Sequence, residues 1–163
     1  MTYKYKIIVV FLMMAATGID ASAPYAQSFN TDILWRLLAP ADLMLMVGNA
    51  CVSQDPSFLT RTTGKHGDFR AYAQEVKDEV SEGVPPEDLH RILRLAADAA
   101  KTEALAEVGD LGSSDPQIEA ANMRRWCITS ATQIIAEFIQ VHDQDHEGFE
   151  KLLAAAKTPR LNR

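Results

Sequence analysis

Apolar positions along this chain follow a helical repeat over most of its length. Between Asp68 and Gly83, the residues Phe69, Tyr72, Ala73, Val76 and Val80 recur at the three-and-four spacing that lines one face of an α-helix. Asp68 stands where an N-cap is expected, and Gly83 supplies the stop. Pro85-Pro86 punctuates the chain, and Glu87 and Asp88 fall in the first turn of the next helix, where the dipole favours acids. That helix carries Leu89, Ile92, Leu93, Ala96, Ala100, Leu105 and Val108 on one side and stops at Gly109. Gly112-Ser113-Ser114-Asp115-Pro116 is the sharpest helix-start signal of the sequence. The long helix it opens is apolar at Ile118, Ala121, Cys127, Ala131, Ile134, Ile135 and Phe138. An unbroken continuation would bring Asp145 onto the apolar face beside Phe149, Leu152 and Ala156, where an unpaired carboxylate is costly to bury. The pattern therefore predicts a break within Asp143–Gly148 and a separate final helix over Phe149–Lys157.

Upstream, Ile33, Leu34, Leu37 and Leu38 mark a helix over Asp32–Leu38. Pro40 is expected to interrupt it and to open a second helix running to about Val52, because proline lacks an N–H and clashes one turn back. The second stretch contains Leu43-Met44-Leu45-Met46-Val47 and is apolar nearly all round, which predicts the central helix of the domain. Its length, with Arg36 and Asp42 nearby, argues against a membrane span. Asp55-Pro56 opens a short turn, and Thr60–Gly67 reads as a loop. No strand-period run competes with these segments. The fold class expected is all-α: a disulfide-stapled helical bundle of about four main helices plus short pieces.

The first 26 residues have a different character. Lys4 and Lys6 precede the apolar run Ile7–Ala16, and Ala21-Ser22-Ala23-Pro24-Tyr25-Ala26 follows it, the order of a secretory signal peptide. The run is about ten residues, short of the roughly 20 that span a bilayer. The expected organisation is a signal peptide over 1–26 and a single helical domain over 27–163, with cleavage after Ala26, or after Ala23, where Pro24 disfavours it. The predicted location is periplasmic or secreted. The absence of any Asn-x-Ser/Thr acceptor in the sequence tilts that reading towards a bacterial periplasm.

An exported chain with two cysteines usually joins them. Cys51 follows Met44 and Val47 on one helix face, and Cys127 precedes Ala131, Ile134 and Phe138 on another. Both sulfurs are thus predicted to meet in the core as a structural bridge. They lie 76 positions apart, too far for a Cys-x-x-Cys redox motif.

The formal net charge is −6, and −7 without the signal segment, which holds two lysines and one aspartate. An acidic domain has no electrostatic footprint for nucleic acid and no attraction to anionic lipid. Neither nucleic acid nor, after signal cleavage, membrane is an expected partner. No nucleophile elbow, Walker loop or dinucleotide fingerprint occurs, so no catalytic motif is available.

One cluster carries possible chemistry. His142, Asp143, His146 and Glu150 lie within nine residues at the junction of the last two helices. His142 and His146 stand one turn apart, as two zinc-binding imidazoles do, with Asp143 where a zincin has its glutamate. A third ligand cannot be assigned. An EF-hand reading starting at Asp143 fails because the twelfth position is Ala154. Pairing Asp143-x-x-His146 with Glu87-x-x-His90 as a dimetal centre fails because Glu87 and His90 sit off the apolar stripe. What remains is a surface site for zinc or copper. Trp35 and Trp126 read as core or rim anchors.

The function expected from this balance is interaction: a small exported helical protein that binds a protein or peptide partner, without catalytic site or cofactor. Inhibitors, immunity proteins and periplasmic chaperones share that layout, which is an architectural analogy only. The alternative is a divalent-metal-binding protein using the His142–Glu150 cluster. Ser53–Asp68 and Asp143–Glu150 are the expected contact surfaces.

Overall fold

The helix around which the others are arranged runs straight through Pro40. A computed structural model describes residues 29–61 and 68–158, and the predicted signal peptide and most of the predicted Thr60–Gly67 loop lie outside them. Helix α1 spans Thr31–Gln54 without interruption, in place of the two helices expected on either side of Pro40. An interior proline costs about 3 kcal/mol. Here that cost is offset by burial on both sides of it, with Leu34, Leu38 and Ala39 before and Ala41, Met44 and Val47 after, all at most 5 % exposed. The continuous helix carries the first group into one apolar centre and the second into another. By length and apolarity alone α1 passes for a membrane span, yet it is the core helix, touching nearly every other element.

The remaining helices wrap α1. A four-residue helix α2, Phe58–Arg61, takes up the start of the expected loop. Its entry is shaped by Asp55, whose carboxylate accepts from the Ser57 N–H at 2.9 Å. Helix α3, Phe69–Ser81, begins at Asp68, which accepts from the Arg70 N–H at 2.8 Å. It buries Phe69, Tyr72, Ala73, Val76 and Val80, the stripe read from the sequence, and ends before Gly83 at φ 74°. Helix α4, Pro86–Val108, makes the most extensive contact with α1, burying Ile92, Ala96 and Ala100 against it. The two alanines permit close approach of the backbones. A single 3₁₀ turn, Gly109–Leu111, follows α4.

Helix α5, Pro116–Trp126, opens where the Ser-Ser-Asp-Pro signal placed it, capped by Asp115 on the Gln117 N–H at 2.8 Å. It does not pass directly into the next helix. A π-helical turn, Cys127–Ala131, intervenes, with the Thr132 hydroxyl donating to the Cys127 carbonyl at 2.9 Å. Trp126 and Cys127, neighbours in sequence, are both buried where the turn begins. Helix α6, Thr132–Gln144, and helix α7, His146–Lys157, complete the chain. The described residues are helical with no strand among them, an all-α bundle.

Two apolar centres lie along α1. One gathers Met44, Val47, Cys51, Phe58, Phe69, Tyr72, Val76, Trp126, Cys127, Ala131 and Ile135. Within it Cys51 and Cys127 are disulfide-bonded, with Cα atoms 5.5 Å apart, as the two stripes predicted. The other joins Leu34, Leu38, Val80, Val84, Ile92 and Ala96 with Leu153 and Ala156 of α7. Of the expected α7 stripe, Ala156 is buried and Phe149 packs on the core, but Leu153 takes the buried place expected of Leu152, which is 36 % exposed. The last turn of α7 is tied to the start of α1 by the Asn30 N–H on the Ala156 carbonyl at 2.9 Å. Asp42, the one buried charged residue among those described, is paired with Lys77 of α3 at 2.5 Å.

Candidate functional site

The break between α6 and α7 falls at Asp145, within the expected window, with φ −120° and ψ 37°. It is shallow. The Asp145 N–H still reaches the Val141 carbonyl at 3.1 Å, and the Phe149 N–H reaches the Asp145 carbonyl at 2.9 Å. The deviation leaves Asp145 exposed instead of facing the core. Its carboxylate lies over the first turn of α7, where the helix dipole favours it. Gly148 leaves room for this, since a Cβ there would fall 2.5 Å from the Asp145 carboxylate oxygens.

The four residues singled out from the sequence divide into two pairs. His142 turns inward. Its Nδ1 is 2.7 Å from the Tyr72 hydroxyl on α3, and its ring meets Phe149 at 4.5 Å, Tyr72 at 5.7 Å and Phe138 at 6.2 Å between centroids. Asp143 leans the same way, accepting a long hydrogen bond of 3.4 Å from Tyr72. Burial, with the Asp143 charge and hydrogen bond next and the Glu75 and Glu79 charges after them, pushes the Tyr72 phenol well above the ordinary tyrosine value. Tyr72 therefore stays protonated at any physiological pH.

His146 and Glu150 face solvent. Their side chains are about half exposed or more, and Nε2 of His146 is 3.3 Å from Glu150. His146 lies parallel to Phe149 at 6.3 Å and meets His142 at 5.4 Å between centroids. The two histidines are adjacent, as the one-turn spacing requires, but one ring belongs to the aromatic interior and the other to the surface. Among the described residues, no three His, Cys, Asp or Glu side chains converge as a metal-ligand group. Glu87 and His90 are exposed on α4, as their position off the stripe predicted. In chemical terms the junction is a partly buried phenol–imidazole contact beneath a surface ion pair.

A second feature was missed by the periodicity. Leu105 and Ile118, placed on buried stripes by their spacing, are 58 % and 52 % exposed, and Ala121 is exposed too. The last buried residue of α4 is Ala100, although Val108 still leans on the core. On α5 only Trp126 is buried; Met123 touches the core, and Asn122 donates to the Leu111 carbonyl at 3.3 Å. The first turns of α5 overhang the bundle: every residue from Ser114 to Glu119 is exposed. Ile128, on the π-helical turn, is 60 % exposed. Alanine content does not separate these positions from buried ones, since Ala96 and Ala100 of the same helix lie in the core. Trp126 is a buried anchor, as expected, although its indole N–H has no hydrogen-bond partner among the described residues. Trp35 lies at the rim, stacked under the Arg36 guanidinium at 5.0 Å.

No family profile, curated protein or solved structure matches this chain, so function is argued from its own residues.

Proposed function

We propose that the chain is an exported helical interaction protein, acting in the periplasm or outside the cell by binding a protein or peptide partner. The observation that carries this reading is where the apolar surface is left. Leu105, Ile118 and Ile128 are the large apolar side chains more than half exposed among the described residues, and all three fall in the one stretch that closes α4 and opens into α6. Single exposed apolar residues are ordinary on any surface. Three of them within one stretch of the chain, outside the buried core, support a contact surface there. The disulfide and the signal-like N-terminus support export. A rigid acidic scaffold of this kind suits an inhibitor, an immunity protein or a holding chaperone.

The test is photo-crosslinking in cells that make the protein. A benzophenone amino acid is placed in turn at Ile118, Ile128, His146 and Glu87, one position per variant. Discrete adducts at one or more of these sites support an interaction function. Failure at every position, with the variants folded and exported, refutes it.

A further inference from the structure

Helix α5 turns an apolar and basic face to solvent on a domain that is otherwise acidic. Ile118, Ala121 and Arg125 follow one another at three and four residues, within about 60° of arc at 100° per residue. Ile128 comes three residues later, where the π-helical turn has just begun. All four are exposed, the two isoleucines by 52 % and 60 %. The side of α5 turned to the bundle carries Trp126, which is buried, and Met123, which packs on the core.

Charge on this surface is one-sided. Among the exposed residues from Ala121 to Gln144, Arg124 and Arg125 are the only charged ones; the others are apolar or neutral polar. Neither arginine has an ion-pair partner among the described residues. The acids of the helix lie off the face. Asp115 is engaged as the N-cap on the Gln117 N–H, and Glu119 is about 100° around from Ile118, towards Trp126 and Met123. Two unpaired arginines thus stand between exposed isoleucines on a domain of net charge −7 without its signal segment.

We infer that the outer face of α5, from Ile118 to the start of the π-helical turn at Ile128, receives an acidic amphipathic helix from another protein. This rests on the interaction reading above and adds the chemistry of the partner. The isoleucines are ten residues apart, about 15 Å along the axis, so a helix lying along α5 seats one apolar side chain at each end. Carboxylates between those side chains meet Arg124 and Arg125, whose forked N–H donors suit them. The same arginines repel a basic competitor. A second copy of this chain is a poorer occupant, because a two-fold pairing sets the face against itself, with arginines on both sides and no carboxylate.

The probe is a leucine–glutamate peptide with its leucines at helical spacing, labelled for fluorescence anisotropy against the oxidised full chain. One control has the same composition with the leucines scattered around the helix; another keeps the leucine pattern and replaces glutamate by lysine. The expected result is saturable binding of the patterned acidic peptide alone. It weakens about tenfold in Ile118→Ser/Ile128→Ser, the loss appropriate to two half-exposed anchors. It also weakens several-fold in Arg124→Gln/Arg125→Gln. Leu95→Ser/Leu152→Ser, which removes two exposed leucines elsewhere, leaves it unchanged. All substituted positions are exposed, and thermal unfolding checks that each variant is folded.

Equal binding of either control peptide, or indifference to the Ile118/Ile128 pair, overturns the inference. So does self-association of the protein that the same pair abolishes, since the occupant is then a second copy. If crosslinks form at His146 or Glu87 while the peptide ignores α5, the interaction reading survives and this inference alone is lost. If no position crosslinks, the broader reading fails and this inference with it.

Discussion

Replacing Gly48 by alanine gives the most direct test of how the core is assembled. Gly48 sits in the middle of α1 beneath the Phe69 ring. A Cβ at that position would fall 2.3 Å from Phe69 Cε2 and 2.4 Å from Cζ. Carbon atoms in contact prefer about 3.5–4.0 Å, so the ring must retreat by more than about 1 Å. It has little room to do so. Phe69 is fully buried at the first position of α3 and meets Phe58 edge-on at 6.4 Å. Two terms compete. Alanine favours the helix over glycine by about 1 kcal/mol. Overpacking costs about 1–3 kcal/mol, and an overlap of this size against a confined ring belongs to the upper part of that range.

The expected net effect of Gly48→Ala is a destabilisation of about 1–2 kcal/mol, seen as a fall in Tm of roughly 4–8 °C. Urea unfolding of the oxidised protein followed by far-ultraviolet circular dichroism measures it. Phe69→Leu in the same chain relieves the clash, so the double variant is expected to be more stable than the sum of the two single changes by about 1 kcal/mol. A Gly48→Ala protein as stable as the parent, or more so, refutes the close seating of Phe69 on α1.

Three further outcomes follow from the same geometry. Replacing both Cys51 and Cys127 by alanine is expected to cost about 4 kcal/mol, from the entropy returned to a long unfolded loop; a loss under about 1 kcal/mol in urea denaturation refutes the staple role. Tyr72→Phe is expected to change the alkaline limb of stability. The fold raises the phenol above its ordinary value of 10.0, so the unfolded chain releases that proton first. Its contribution is complete below pH 10 and is lost as pH rises beyond it, so the variant should show a shallower decline there than the parent; identical limbs refute the assignment. Zinc titration by calorimetry should show only weak binding, because His142 is turned into the aromatic interior and leaves His146 and Glu150 as a two-ligand surface pair. A micromolar site abolished by His146→Ala contradicts that geometry.

Local rules made much of the bundle legible in advance. The α3 stripe, the Asp68 and Asp115 caps, the stop at Gly83 and the break at Asp145 each depend on energies confined to a few neighbouring residues, so the sequence displays them directly. The Cys51–Cys127 bridge was legible for a related reason, since both cysteines continue apolar stripes that have one core to meet in.

Other features depend on what each helix packs against, and no periodicity reports that. Pro40 obeys the local rule against interior prolines until burial on both sides outweighs it. The π-helical turn at Cys127–Ala131 interrupts the single long helix that the spacing predicted, and the α7 face is displaced from Leu152 to Leu153 by its fit on α1 and α3. Tyr72 meets His142 across 70 positions of sequence, which divides the histidine cluster into an interior ring and a surface ring. Leu105 and Ile118 have the spacing of core residues and remain outside it. Spacing states which face of a helix is apolar; the number and length of the neighbouring helices decide whether that face is covered.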